Sequence, residues 1–164
     1  MTKTLHSLVL LTILLGSAIP LAPAPVAAQE FAGGDGSEGD PFQIANWTHL
    51  NNVRGYLDAC FILLNDLDEE TGDYAGLADE TANSGLGWEP IGTSDNKFTG
   101  GFDGQGYEIA DLVINRTTED YVGLFGCVGD GGTVGSLGVA DCDVAGDDDV
   151  GPLVGSNRGT IDMC

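Results

Sequence analysis

Carboxylates crowd two short stretches, NDLDEETGD at Asn65–Asp73 and AGDDD at Ala145–Asp149. Several hard oxygens on turns are what calcium prefers. Asp66, Asp68, Glu70, Asp147 and Asp149 are therefore the candidate calcium ligands. The pattern departs from a twelve-residue calcium loop at two points: Thr71 stands where the turn glycine belongs, and Leu77 where a bidentate Glu belongs. Carboxylate pairs of the glycosidase type are so common here that they single out no site. Of the two histidines, His6 lies in the leader and His49 beside Leu50 on a predicted helix. Neither builds a Ser-His-Asp or Cys-His relay. The expectation is a chain without catalytic residues, cofactor or resident metal.

Two Asn-x-Thr triplets, at Asn46 and Asn115, could accept N-linked glycans in an exported protein. Asn115 falls in a predicted exposed turn and is the better candidate, while Asn46 could instead cap a helix. Export is expected from residues 1–28. Lys3 precedes the apolar run Leu8–Ile19, and small residues lead to a cleavage site before Gln29. Pro20, Pro23 and Pro25 interrupt that run short of the roughly 20 residues a membrane span needs. A retained anchor is the alternative; after cleavage, no membrane association is expected.

Beyond this leader, four basic residues (Arg54, Lys97, Arg116, Arg158) face 26 acidic ones, within a net charge of −21 for the chain. Self-repulsion of that size strains a compact domain at ordinary salt. At about 1 M ionic strength the Debye length is only about 3 Å, and the strain is screened. With 42% hydrophobic residues, the chain reads as a folded protein of a salt-loving organism rather than an acidic tail. The charge excludes nucleic acid and anionic membranes as partners. Cys60, Cys127, Cys142 and Cys164 form no C-x-x-C, so small buried thiols are favoured for Cys60 and Cys127, with disulfide pairing left open.

The elements that would hold these residues divide the chain further. Residues 29–40 read as a flexible, acidic, Gly-rich linker. Residues 41–90 read as a strand, an amphipathic helix over Asn46–Leu57, a strand at Cys60–Leu64 and a long loop. From residue 91 to 164, short apolar strands alternate with Gly/Asp turns and recur. Ile109–Leu112 matches Val134–Leu137, Val122-Gly123 matches Val150-Gly151, and Gly132–Val134 matches Gly159–Ile161. Repeats of 20 to 50 residues mark solenoids. Leu112, Leu137, Phe125 and Leu153 are the candidates for the inward stack, and the abundant glycines, with Asn or Asp, for tight corners. An antiparallel β-sandwich is the alternative.

At Tyr121–Val134 (YVGLFGCVGDGGTV) and Asp149–Ile161 (DVGPLVGSNRGTI) the chain resembles the GLUG-motif family of bacterial and archaeal exported proteins. The resemblance rests on Gly123, Leu124, Phe125 and Gly126, then on Gly151, Leu153, Val154, Gly155, Asn157, Gly159 and Ile161. Pro152 departs from the usual Gly. Upstream, Phe98, Gly100, Phe102, Asp103, Gly104, Gly106 and Ile109 match the segment that precedes the first repeat. It implies a mainly β fold, a right-handed parallel β-helix (β-solenoid), with the amphipathic helix capping its first coil. The acidity suits a haloarchaeal member. Relatives include adhesin-like proteins and amino-terminal regions of IgA-type proteases, and the motif brings no catalytic residues. The expected role is structural or adhesive, outside the cell or on its surface, with surface glycans or other surface proteins as partners. The alternative is a non-catalytic front region of a larger surface protease or carbohydrate-active enzyme. Roughly two coils follow Ile91, fewer than the three or so a solenoid needs, so a chain truncated at its C-terminus is also expected.

Overall fold

The computed structural model describes residues 30–164, and the leader read over residues 1–28 lies outside them. The described chain is mainly β, with short strands in small parallel sheets and few helices. It opens with β1 (Phe42–Ile44), α1 (Trp47–Asn52) continued by a 3₁₀ turn (Val53–Gly55), β2 (Cys60–Leu63) and two helical turns, α2 (Tyr74–Leu77) and α3 (Ala82–Gly85). Then come β3 (Gly101–Asp103), β4 (Glu108–Ala110), β5 (Val113–Asn115) and β6 (Phe125–Val128). The same order returns as β7 (Thr133–Gly135), β8 (Gly138–Ala140), β9 (Asp143–Ala145) and β10 (Val154–Asn157), followed by β11 (Thr160–Asp162).

Each strand of the second set pairs in parallel with its counterpart in the first: β3 with β7, β4 with β8, β5 with β9, β6 with β10. β11 pairs with β7, so one sheet runs β1-β2-β3-β7-β11. Register puts apolar residues in columns: Phe42, Phe61, Phe102, Val134 and Ile161 are successive partners. The first four are buried and Ile161 packs half-buried against them. Full burial of such a side chain contributes roughly 1.5–3 kcal/mol. Aromatic rings thicken the column, with Phe61 and Phe102 stacked at 6.3 Å and Phe98 and Phe125 at 5.0 Å between centroids. Leu112, Phe125 and Leu137 are buried as expected, and Leu153 packs half-buried on the same core.

Two of the three sequence repeats match the pairing: Val134 meets Ile161, and Val122 meets Val150. The third is corrected. Ile109 pairs with Val139 rather than Val134, whose partner is Phe102. Three-residue strands of similar texture succeed one another within each layer, and text similarity aligned two different ones.

The glycines also act otherwise than expected. Those of the repeat motif lack positive φ, and the corners fall instead to Asp111 and Asp141, Ser136 and Met163, Tyr121 and Asp149, at equivalent points of successive layers. The motif glycines are needed because layers approach closely. A Cβ on Gly123 would lie 2.4 Å from the Gly151 carbonyl oxygen, and one on Gly159 would lie 2.2 Å from that of Gly132. Gly123→Ala should therefore destabilise by roughly 1–3 kcal/mol through overpacking. Gly76→Ala, with open space around the new Cβ, should be neutral or stabilising by under about 1 kcal/mol. Denaturant unfolding in molar KCl checks the contrast.

Residues 30–40, expected as a flexible linker, are held to the fold. Phe31 is buried and stacks on Phe42 at 4.3 Å. Ala32 N–H donates to the Gln43 carbonyl, and Gln43 N–H to that of Gly33. This segment covers the free backbone edge of β1, a task the sequence reading assigned to the helix. The helix instead lays Trp47, Leu50 and Val53 on the core, and is shorter than Asn46–Leu57. All four cysteines are free thiols, Cys127 buried and Cys60 only half-buried.

Asn46 caps α1, its side-chain oxygen accepting from His49 N–H at 2.8 Å. His49 Nδ1 accepts from Ala45 N–H at 3.2 Å, which requires that nitrogen to be unprotonated. Burial holds the His49 pKa below its usual 6.5, with Asp73 partly opposing. The unfolded chain thus binds this proton more readily, so its contribution to stability rises with pH just below 6.5 and is lost as pH falls through that window. Thermal unfolding between about pH 5 and 7 should show this slope, flattened in His49→Gln.

Candidate functional site

Side chains alternate across a strand, so burying Phe61, Phe102 and Val134 turns their neighbours outward. Cys60, Gly101, Thr133 and Thr160 then form one row across the five-stranded sheet, and Ile62, Asp103, Gly135 and Asp162 the next. These residues, with Glu38 and Ser136, line a groove of about 400 Å³. Gly101 and Gly135 leave its floor low, and Thr133, Thr160, Asp103 and Asp162 add hydroxyl and carboxylate oxygens along its length. Asp103 is held in place by accepting from Gln105 N–H at 2.8 Å. No histidine, lysine or arginine lines the groove. Its outward oxygens form a row of hydrogen-bonding groups.

The acidic residues singled out as calcium ligands do other work in the fold. Asp68 Oδ1 accepts from the N–H groups of Glu70 and Thr71 at 3.0 and 2.9 Å and from the Thr71 hydroxyl at 2.8 Å. Asp66 Oδ1 accepts from Glu108 N–H at 2.8 Å, pinning this turn to β4. Glu70 is exposed, as are Asp147 and Asp149 in the turn before β10. There Asp147 N–H donates to the Glu119 carbonyl, and the Asp149 carbonyl accepts from Val122 N–H. Among the described residues, no three His, Cys, Asp or Glu side chains gather as a metal-holding group.

Asn115 ends β5 and is exposed, its amide reaching the Gly85 carbonyl at 3.4 Å; Asn46 is half-buried at its cap. The motif residues come together in register: Val154 over Phe125 and Ile161 over Val134, with Leu124 buried beside them. Asn157 Oδ1 accepts from Gly159 N–H at 2.9 Å and holds the turn between β10 and β11. Burial pushes the Cys127 and Cys142 thiols above their usual pKa, which leaves them weak nucleophiles at neutral pH. The groove is not legible in the sequence because its rows come from residues far apart in the chain. Their only signal was a small or polar residue flanking each inward Phe or Val.

No protein-family model matches the chain. It is 39% identical over 137 residues to a protein of Evansella cellulosilytica described as a Gly-rich membrane protein, covering 80% of this chain and 15% of that one. It is 32% identical over 134 residues to halomucin of Haloquadratum walsbyi, covering 78% of this chain and 1% of halomucin. A crystal structure from Bacteroides ovatus, described as an immunoglobulin A1 protease, superposes with a TM-score of 0.58 at 25% identity, covering 77% of this chain and 34% of that one. The chain thus spans a small part of each protein it matches. No described helix is long and apolar enough to cross a membrane.

Asp68→Ala should cost roughly 1–3 kcal/mol, because it strips the acceptor from two backbone donors and a hydroxyl. Asp68→Asn keeps that acceptor and should recover a good part of the loss. Denaturant titration of the three proteins, with and without calcium, measures both effects.

Proposed function

We propose that the chain is a non-enzymatic, exported surface segment with a structural or adhesive role, built as a right-handed parallel β-solenoid of the GLUG-motif kind. The observation that carries this reading is the in-register return of β7–β10 over β3–β6, with β11 opening a further layer. Stacked layers sequester the interior, so binding falls to outward rows such as the groove across the five-stranded sheet. Surface glycans or other surface proteins are the partners those oxygens suit. The likeness to a protein described as a membrane protein and to halomucin supports a place at the cell surface, and the acidity supports a salt-loving host.

The likeness to the protease-described structure favours a second reading, in which the chain is the non-catalytic front region of a larger surface enzyme acting on protein or polysaccharide. Protease shaving of intact source cells is expected to release peptides from residues 30–164, and the protein is expected to turn over neither polysaccharides nor immunoglobulin. Recovery only from the cytosol would sink the surface reading; turnover of either substrate would sink the non-enzymatic one.

A further inference from the structure

The basic side chains of the described residues are few, and their placement is uneven. Arg116 is nearly buried, donates to the Trp88 carbonyl at 2.9 Å, and is paired with Glu119 at 3.0 Å. Arg54 lies over the Trp88 ring, 4.3 Å from its centroid, and donates to the Glu89 carbonyl. Both therefore brace the same stretch of chain. Lys97 and Arg158 stand apart from that stretch: among the described residues no carboxylate lies within ion-pair distance of either, and Lys97 Nζ donates to the Ser94 carbonyl at 2.5 Å.

These two cations line one cleft of about 130 Å³, with Ser94, Tyr121, Cys127 and Ser156, and no acidic residue lines it. The layering builds it. Phe98 bridges to Val128, Val128 pairs with Asn157, and Cys127 with Ser156. Lys97, Cys127 and Ser156 thus occupy neighbouring rungs, and Arg158 follows the last of them. Ser94 and Tyr121 also line an adjoining cleft of about 390 Å³, with Thr93, Glu89, Asp120 and the paired Arg116 and Glu119. Two cations without a carboxylate partner, with hydroxyls beside them, make an anion seat, and the predominantly acidic cleft next door suits the hydroxyls of the group that carries the anion.

We propose that the Lys97–Arg158 cleft binds the carboxylate of a uronate unit in an acidic polysaccharide, whose neighbouring sugar occupies the larger cleft across Tyr121. The guanidinium meets a carboxylate through two parallel N–H donors, and the ammonium adds a point charge. In concentrated salt the Debye length is about 3 Å, so only groups in contact contribute, as a built cleft provides and a diffuse patch does not. This rests on the adhesive reading above and adds to it a second binding surface, apart from the sheet groove.

The test measures binding of an oligomer that alternates galacturonate with neutral galactose, of the all-neutral galactose oligomer and of a sulfated galactose oligomer by calorimetry in molar KCl. The wild-type protein is compared with Lys97→Met/Arg158→Met, which keeps both aliphatic stems, and with Thr160→Val in the sheet groove. Far-UV circular dichroism and melting temperature should match across the three. The alternating oligomer should bind the wild type, with at least a tenfold loss in the double variant and no binding of the neutral oligomer. Equal binding of the neutral oligomer, preference for the sulfated one, indifference to the double variant, or no uronate binding would each overturn the proposal. Self-association abolished by the double variant, in place of uronate binding, would assign the cleft to a second acidic copy. Binding of neutral sugar that Thr160→Val weakens would defeat this inference and leave the adhesive reading standing.

Discussion

Backbone pairing between successive layers, parallel and in register, is the constraint on which the other features depend. Phe42, Phe61, Phe102, Val134 and Ile161 stand over one another because β1, β2, β3, β7 and β11 align residue for residue. A one-residue slip would turn each inward side chain out, so the hydrophobic column and the hydrogen-bond ladder enforce each other. The same spacing brings the carbonyl of one layer against the Cα of the next. Gly123 and Gly159 answer that approach.

Layering also decides where charge can go. Interior columns admit none, so carboxylates fall on outward rows and on turns, where Asp66 and Asp68 accept backbone N–H groups and brace neighbouring segments. Screening by salt relieves repulsion among the rest. Of the four Lys and Arg among the described residues, Arg54 and Arg116 hold the chain around Trp88, which is buried against Trp47 and joins the lead-in helix to the layered part.

Burial falls along the stack in a way the pairing explains. Residues of the middle layers, such as Ile109, Ile114 and Phe125, have neighbours above and below and are essentially buried. Their partners Val139, Val144 and Val154 are covered on one side and only half-buried. At the other end, Phe31 and the backbone of residues 32–33 close the edge of β1.

Much of this was legible in the residues themselves. The strands at Phe42–Ile44 and Cys60–Leu63, the Asn46 cap and the Trp47, Leu50, Val53 stripe follow from local periodicity and side-chain chemistry. The pairing of Val134 with Ile161 follows from a near-identical phrase. Local signals failed wherever pairing between distant segments decided the outcome. Composition made residues 30–40 look like a linker, because a single Phe31 gives no periodicity until Phe42 is beside it. Aspartate corners such as Asp111, Asp141 and Asp149 fit local preference, but those at Ser136, Tyr121 and Met163 do not, because φ there is set by the path between layers. Neither the sheet groove nor the Lys97–Arg158 cleft exists in one dimension, since each is a row of residues from separate layers. The sequence by itself determined which residues are apolar enough to enter columns; only the tertiary structure decided which of them share one, because register is a property of two strands and not of either.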